Sequence, residues 1–138
     1  TGFRVPILVS ASGRSYLANC PQQQRDTILE ILGRSPKDED KLARNRGELN
    51  RILAEVRTQG YATAVRARRV SDEVSLAVPI QLDDRVLACI TVRFAGTAVP
   101  LKTALDRFLP RLRDTAAKIR ARFAEQQLQV AERAAGAA

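Results

Sequence analysis

The period of the hydrophobic positions changes along the chain and divides it into extended and helical stretches. Phe3 to Ser10 is mostly apolar and reads as a strand, with Pro6 marking an edge or bulge. Ser10-Ala11-Ser12-Gly13 breaks that run, and a short helix is predicted from Arg14 to Asn19 with Ser12 as its N-cap. Pro21 suits the first position of the next helix, which runs to Leu32, buries Ile28, Leu29, Ile31 and Leu32, and stops at Gly33. Ser35-Pro36 followed by Asp38, Glu39 and Asp40 predicts another helix start, with acids where the macrodipole favours them. Asn45 with Glu48 forms a capping-box-like start for a further helix. Its Leu49, Ile52, Leu53 and Val56 repeat at the i, i+3, i+4, i+7 spacing of one buried stripe, and Gly60 ends it.

From Tyr61 the period becomes two. Tyr61 to Val65 predicts a short strand and Arg66 to Asp72 a charged connection, before two longer strands, Val74 to Gln81 and Arg85 to Phe94. After Pro100 the chain turns helical almost to its end. Leu105, Leu109, Leu112, Ala116, Ile119 and Phe123 alternate steps of four and three, a heptad seam that Pro110 should kink or divide. The order β-α-α-α-β-β-β-α predicts an α+β domain, an antiparallel sheet with helices packed against it, and no second domain.

Register decides what the last two strands present. A two-residue turn at Asp83-Asp84 would mix polar and apolar side chains on both faces. A three-residue turn at Leu82 to Asp84 sorts them instead. One face then carries Val74, Leu76, Val78, Ile80, Val86, Ala88, Ile90, Val92 and Phe94, and a helix such as the heptad stripe should cover it. The other carries Ser75, Ala77, Pro79, Gln81, Arg85, Leu87, Cys89, Thr91 and Arg93. Small residues with a few polar groups are the usual lining of a small-molecule pocket, though the same pattern describes the solvent face of a half-buried sheet. Arg93 in such a hollow would meet a carboxylate with two parallel hydrogen bonds; otherwise it is an exposed arginine near a strand end. Ser12 and Gly13, at a helix start, would add backbone N–H groups that attract anions, unless Ser12 is only a cap.

Composition removes several classes of chemistry. The 138 residues contain no His, which excludes an imidazole base or a His-ligated metal. Cys20 and Cys89 are too few and too far apart in sequence for a disulfide framework or a metal knuckle, and read as buried thiols of a reducing compartment. No apolar run reaches the ~18–20 residues of a membrane helix, and no signal peptide opens the chain, so a cytoplasmic location is expected. Thr1 in place of Met points to a processed chain or an excised fragment. Twenty-three Lys and Arg against fifteen acids give a net charge of +8, which favours anionic partners without choosing among them.

Several segments together resemble one family. Val9-Ser10-Ala11-Ser12-Gly13-Arg14-Ser15-Tyr16-Leu17-Ala18 is similar to the small-residue turn and helix start of the effector-binding domain of IclR-type transcription regulators. Gln59-Gly60-Tyr61-Ala62 resembles the helix stop and strand start of that domain. Ser75-Leu76-Ala77-Val78-Pro79-Ile80 and Arg85-Val86-Leu87-Ala88-Cys89-Ile90-Thr91-Val92 resemble its paired strands. The resemblance covers nearly the whole chain in order. It implies a GAF-like fold that binds a small metabolite, often a carboxylate or aromatic acid, and forms a homodimer or homotetramer, with no cofactor. It also implies that DNA is held by a winged helix-turn-helix preceding this domain, a segment this chain does not contain. Cys20-Pro21, Ala98 and Leu109-Pro110 look most like the branch controlling catabolism of phenylpropionate-type aromatic acids. By position, the family's ligand contacts fall on Ser75, Thr91 and Arg93, on the face already separated by register. Where the family often supplies an acid after Gly60-Tyr61, this chain has Ala64, Val65 and Arg66, so a more negative or different ligand is expected.

The leading expectation is therefore a sensor whose ligand shifts an oligomer between states, bound through Ser75, Thr91, Arg93, Cys89, Ser12, Gly13 and Arg66. Direct nucleic-acid binding through Arg66, Arg68 and Arg69, or through the arginines at 107, 111, 113, 120 and 122, is the alternative. Aromatics are only 4% of the chain and form no stacking platform, and those helical arginines lie off the heptad seam. Catalysis is not expected: there is no Gly-rich phosphate loop, nucleophile elbow or flanking carboxylate pair, and Cys89 has no His partner.

Overall fold

The computed structural model describes residues 4–137. The elements are α1 (Ala11–Asn19), α2 (Gln22–Gly33), a 3-10 helix (Asp38–Arg44), α3 (Arg46–Gln59), β1 (Ala62–Arg66), β2 (Glu73–Leu82), β3 (Arg85–Ala95) and α4 (Leu101–Gly136). The three strands form one antiparallel sheet in the order β1-β2-β3. This is the expected α+β architecture with a long C-terminal helix.

The opening segment departs from expectation. Phe3 lies outside the described residues, and Arg4 to Ser10 is not a strand. The Ser10 N–H donates to the Pro6 carbonyl, closing a turn over residues 7–9. Leu8 alone of that apolar run is fully buried, while Val5 and Val9 stay more than 40% exposed. An apolar run becomes a strand only when a neighbouring strand accepts its backbone groups, and these are used locally instead. Arg14 Nε donates to the Leu8 carbonyl at 2.8 Å, tying the segment to α1.

That early turn lets α1 begin three residues sooner than predicted. Its N-cap is Ser10 rather than Ser12, and Ser10 Oγ accepts from the Gly13 N–H. Gly13 is buried, and a Cβ there would overlap the Ile7 carbonyl. Only glycine allows the incoming chain to cross α1 this closely.

The remaining helices follow their signals more closely. In α3, Asn45 Oδ1 accepts from the Glu48 N–H and Asn45 Nδ2 donates to Glu48 Oε2 at 3.1 Å, while Leu49, Leu53 and Val56 are buried. The helix stops at Gly60, whose φ of 78° suits glycine. Helix α2 buries less than predicted: Leu29 is in the core, Ile28 and Leu32 are half-buried, and Ile31 is 66% exposed. Pro110 does not divide α4, which runs unbroken through it. The connection after β1 is fixed at its far end, where the Gly96 N–H donates to the Asp72 carbonyl and Ser71 Oγ meets Thr97 Oγ1 at 2.7 Å.

Helices cover both faces of the sheet. On one face α4 lays Leu105, Leu109, Leu112 and Ala116 over Leu76, Val78 and Ile80. Beyond Ala116 the predicted seam is less buried: Ile119 and Phe123 are 42% and 36% exposed. On the other face Ala62 and Ala77 join a core with Leu8, Leu17, Leu29, Leu49 and Leu53 beneath α1 and α3.

Candidate functional site

The β2–β3 ribbon separates its faces as expected only beyond the Ile80–Ala88 pair. Nearer the turn Val86 lies opposite Gln81, Arg85 lies opposite Leu82, and Leu87 packs with Leu76, Val78 and Ile80 instead of joining the Ser75 face. Leu82 pairs with Arg85, so the turn has two residues, Asp83 and Asp84, with Asp83 at a φ of 55°. The pairing then shifts between Gln81, opposite Val86, and Ile80, opposite Ala88, leaving Leu87 as an extra residue in β3. Beyond that bulge Ser75 lies opposite Arg93, Ala77 opposite Thr91 and Pro79 opposite Cys89. Ser75, Thr91 and Arg93 thus share a face because a β-bulge, not a longer turn, corrects the register.

The same face continues across β1, where Ala62 pairs with Ala77, Ala64 with Ser75 and Arg66 with Glu73. Its two ends differ. Around Ala62 and Ala77 small side chains seat α1, which packs against all three strands. At the other end lies a cavity of about 430 Å³. Its floor is Ala64, Arg66, Glu73, Ser75 and Arg93 from the three strands, with Val65 beside them. Arg4, Val5, Pro6, Val9 and Ser10 form one wall, and Glu39 of the 3-10 helix stands at its edge.

Of the residues singled out from the sequence, Ser75, Arg93 and Arg66 line this cavity. Thr91 and Cys89 share the face but lie outside it, and Ser12 and Gly13 sit within α1 rather than at a free helix start. The Gly13 N–H is already held by Ser10 Oγ at 3.1 Å, so it is not open to an anion as expected. Burial pushes the Cys89 thiol up from its ordinary value, with the Ser15 hydroxyl opposing the shift in part, which keeps the sulfur protonated.

Sequence reading passed over Arg4, Ser10, Glu39 and Glu73. Glu73 was within reach: one more residue at the start of β2 puts it on the Ser75 face by alternation alone. It matters electrostatically, because Arg93 Nη1 lies 3.8 Å from Glu73 Oε1 while Arg68 Nη2 lies 3.3 Å from Oε2. Arg93 therefore already faces an internal carboxylate. Both arginines are about half exposed, so each pair contributes less than about 1 kcal/mol and can be exchanged for another partner. Among the described residues no group of three or more His, Cys, Asp or Glu side chains could hold a metal ion. No helix among the described residues is long and apolar enough to cross a membrane.

Fold and cavity define a small α+β domain with a ligand-sized hollow at one end of its sheet. Residues 1–121 match the family described as "Bacterial transcriptional regulator IclR C-terminal", and the chain belongs to that family. Among solved structures it is similar to a transcriptional regulator from Rhodococcus sp. RHA1, with 24% identity over 90% of this chain and 49% of that one and a TM-score of 0.69. It is also similar to the inducer-binding domain of PobR from Acinetobacter, a double mutant in complex with 3-hydroxybenzoic acid. Identity there is 22% over 86% of this chain and 69% of that one, with a TM-score of 0.66. An IclR homologue from Microbacterium hydrocarbonoxydans complexed with 4-hydroxybenzoate matches at 23% identity over 88% of this chain and 47% of that one, with a TM-score of 0.60. The chain spans about half the length of the Rhodococcus and Microbacterium proteins.

Proposed function

We propose that this chain is the ligand-sensing part of a transcriptional regulator and that the cavity over Ser75 and Arg93 receives a small aromatic carboxylate. The observation that carries this reading is the pairing of Ser75 with Arg93 on the floor of a cavity of about 430 Å³. A hydroxyl and a guanidinium stand side by side there, next to the apolar Val5, Pro6, Val9, Ala64 and Val65. That volume lies in the range of small-molecule sites. The apolar wall suits a ring, and the Arg93 fork suits a carboxylate. The two neighbours with hydroxybenzoates bound support the same class of ligand.

Glu73 sets the terms of binding. An incoming carboxylate takes Arg93 in its place, and Glu73 keeps Arg68 as a counter-charge. Arg66 adds positive charge at the same end, which favours the anionic ligand. In the whole protein, recognition of DNA by a separate part and assembly into a dimer or tetramer complete the proposal. The ligand acts by unequal affinity for two states of that assembly.

The test is a thermal-unfolding series with benzoate, 3-hydroxybenzoate, 4-hydroxybenzoate and phenylpropionate on this chain and on Arg93→Ala. At least one acid should raise the melting temperature of the parent in a saturable way, and Arg93→Ala should lose that shift while unfolding normally without ligand. A folded parent indifferent to every acid, or an equal shift in Arg93→Ala, defeats the proposal.

A further inference from the structure

A second hollow of about 280 Å³ lies at the other end of β2, between the C-terminal ends of α1 and α3 and the middle of α4. Three arginines reach it, Arg57 from α3 and Arg113 and Arg120 from α4, and no Asp or Glu lines it. None of the three takes part in an ion pair among the described residues. The remaining wall includes Pro79, Ala116 and Ala117, which bring no charge.

Two of these arginines have structural duties that fix them in place. Arg57 Nε donates to the Ala18 carbonyl at 2.8 Å, and Arg113 Nη2 donates to the Gln59 carbonyl at 3.0 Å. Each carbonyl belongs to the negative end of a helix, so each guanidinium offsets a helix dipole. A guanidinium has five N–H donors, and these bonds use one from each side chain. Arg120 caps nothing. It lies seven residues after Arg113, two turns along the same side of α4, and makes no side-chain hydrogen bond among the described residues.

We propose that this hollow is an anion site for a phosphate-bearing small molecule, separate from the carboxylate cavity and independent of what that cavity binds. Donors arriving from two helices meet the oxygens of a tetrahedral oxyanion from more than one direction, which a flat carboxylate does not match. Two of the three guanidiniums are held in advance by the helix ends, so little side-chain freedom is lost on binding. Pro79 offers no N–H and the alanines no bulk. The amides of Asn19 and Gln81, which also line the hollow, already donate to the Ser15 and Asn19 carbonyls, so the arginines supply its charge.

Inorganic pyrophosphate, titrated into the chain at fixed ionic strength and followed by calorimetry and amide chemical shifts, tests this. Saturable binding is expected, with shifts centred on Gly60 and on Arg113 to Arg120. Arg120→Gln should weaken it about tenfold, the effect of losing one charge-assisted bond, without changing the melting temperature in the absence of ligand. Arg122→Gln, which removes the same charge from outside the hollow, should bind as the parent does. The proposal is overturned if binding is not saturable, if the two variants weaken it equally, or if the shifts map away from this hollow.

Discussion

The rows Ala62–Ala77–Thr91 and Ala64–Ser75–Arg93 are adjacent on one face of the sheet, yet α1 covers the first and leaves the second open. Both rows carry small side chains on β1 and β2, Ala62 and Ala77 in one and Ala64 and Ser75 in the other, so size there does not distinguish a ligand hollow from a helix seat. What separates them is the chain leading into α1. Its turn over residues 7–9 and the crossing at Gly13 seat the helix against Ala77, while residues 4–10 arch over Ser75 without filling the space beneath. An alanine-rich row accommodates whatever backbone approaches it, and a hollow survives only where that backbone is held off.

Gly13→Ala should disturb this comparison most. Its new methyl meets the Ile7 carbonyl, and stability should fall by about 3 kcal/mol or more in chemical denaturation, whereas Gly33→Ala, with nothing nearby, should be neutral or slightly stabilising. Next is the contrast between neighbouring rows. Ala77→Leu should cost about 1–3 kcal/mol by overpacking against α1, while Ser75→Leu should leave stability within about 0.5 kcal/mol and abolish binding of the aromatic acid. Equal costs at the two positions would show that the rows are packed alike. Arg93→Ala should weaken acid binding at least about tenfold in calorimetry with little change in stability, since the pair it loses is exposed.

The smallest effect is one of pH. Burial raises the thiols of Cys89 and Cys20, so the folded chain holds these protons more tightly than the unfolded chain. Stability should therefore be at its full value below about pH 8.5, the value of a free thiol, and decline as pH rises through it. Cys89→Ala should flatten part of that decline in urea midpoints measured between pH 7 and 10.

The elements that were legible in the sequence carry their own stabilising signals. Helix α3 has a side-chain cap, a single apolar stripe and a stopping glycine, and each acts locally. The β2–β3 faces were legible from Ile80 and Ala88 onward, where alternation has one apolar solution, but not at Arg85, Val86 and Leu87 beside the turn. The route to that solution was not, because a bulge leaves no mark on alternation beyond the one residue it adds. The opening segment misled for a related reason: Val5, Ile7, Leu8 and Val9 have the composition of a strand, and only tertiary context decides whether a partner is there to pair. At the site, Arg66 came from the family resemblance, and the sequence pattern reads it as part of a connection and not as the end of β1. Arg93 and Ser75 followed from facing. Thr91 and Cys89 were placed beside them because period two does not show where along a face a helix comes to rest.

The bulge at Leu87 also gives the ribbon a tolerance of its own. β3 holds one residue more than its pairing consumes between the turn and Ala88. Excising that surplus would straighten the strand and still leave Arg93 across from Ser75, whereas one further insertion in the same stretch would have no loop to absorb it. The alignment beneath the cavity is buffered against loss and not against gain, an asymmetry that length variation at this point in related chains should record.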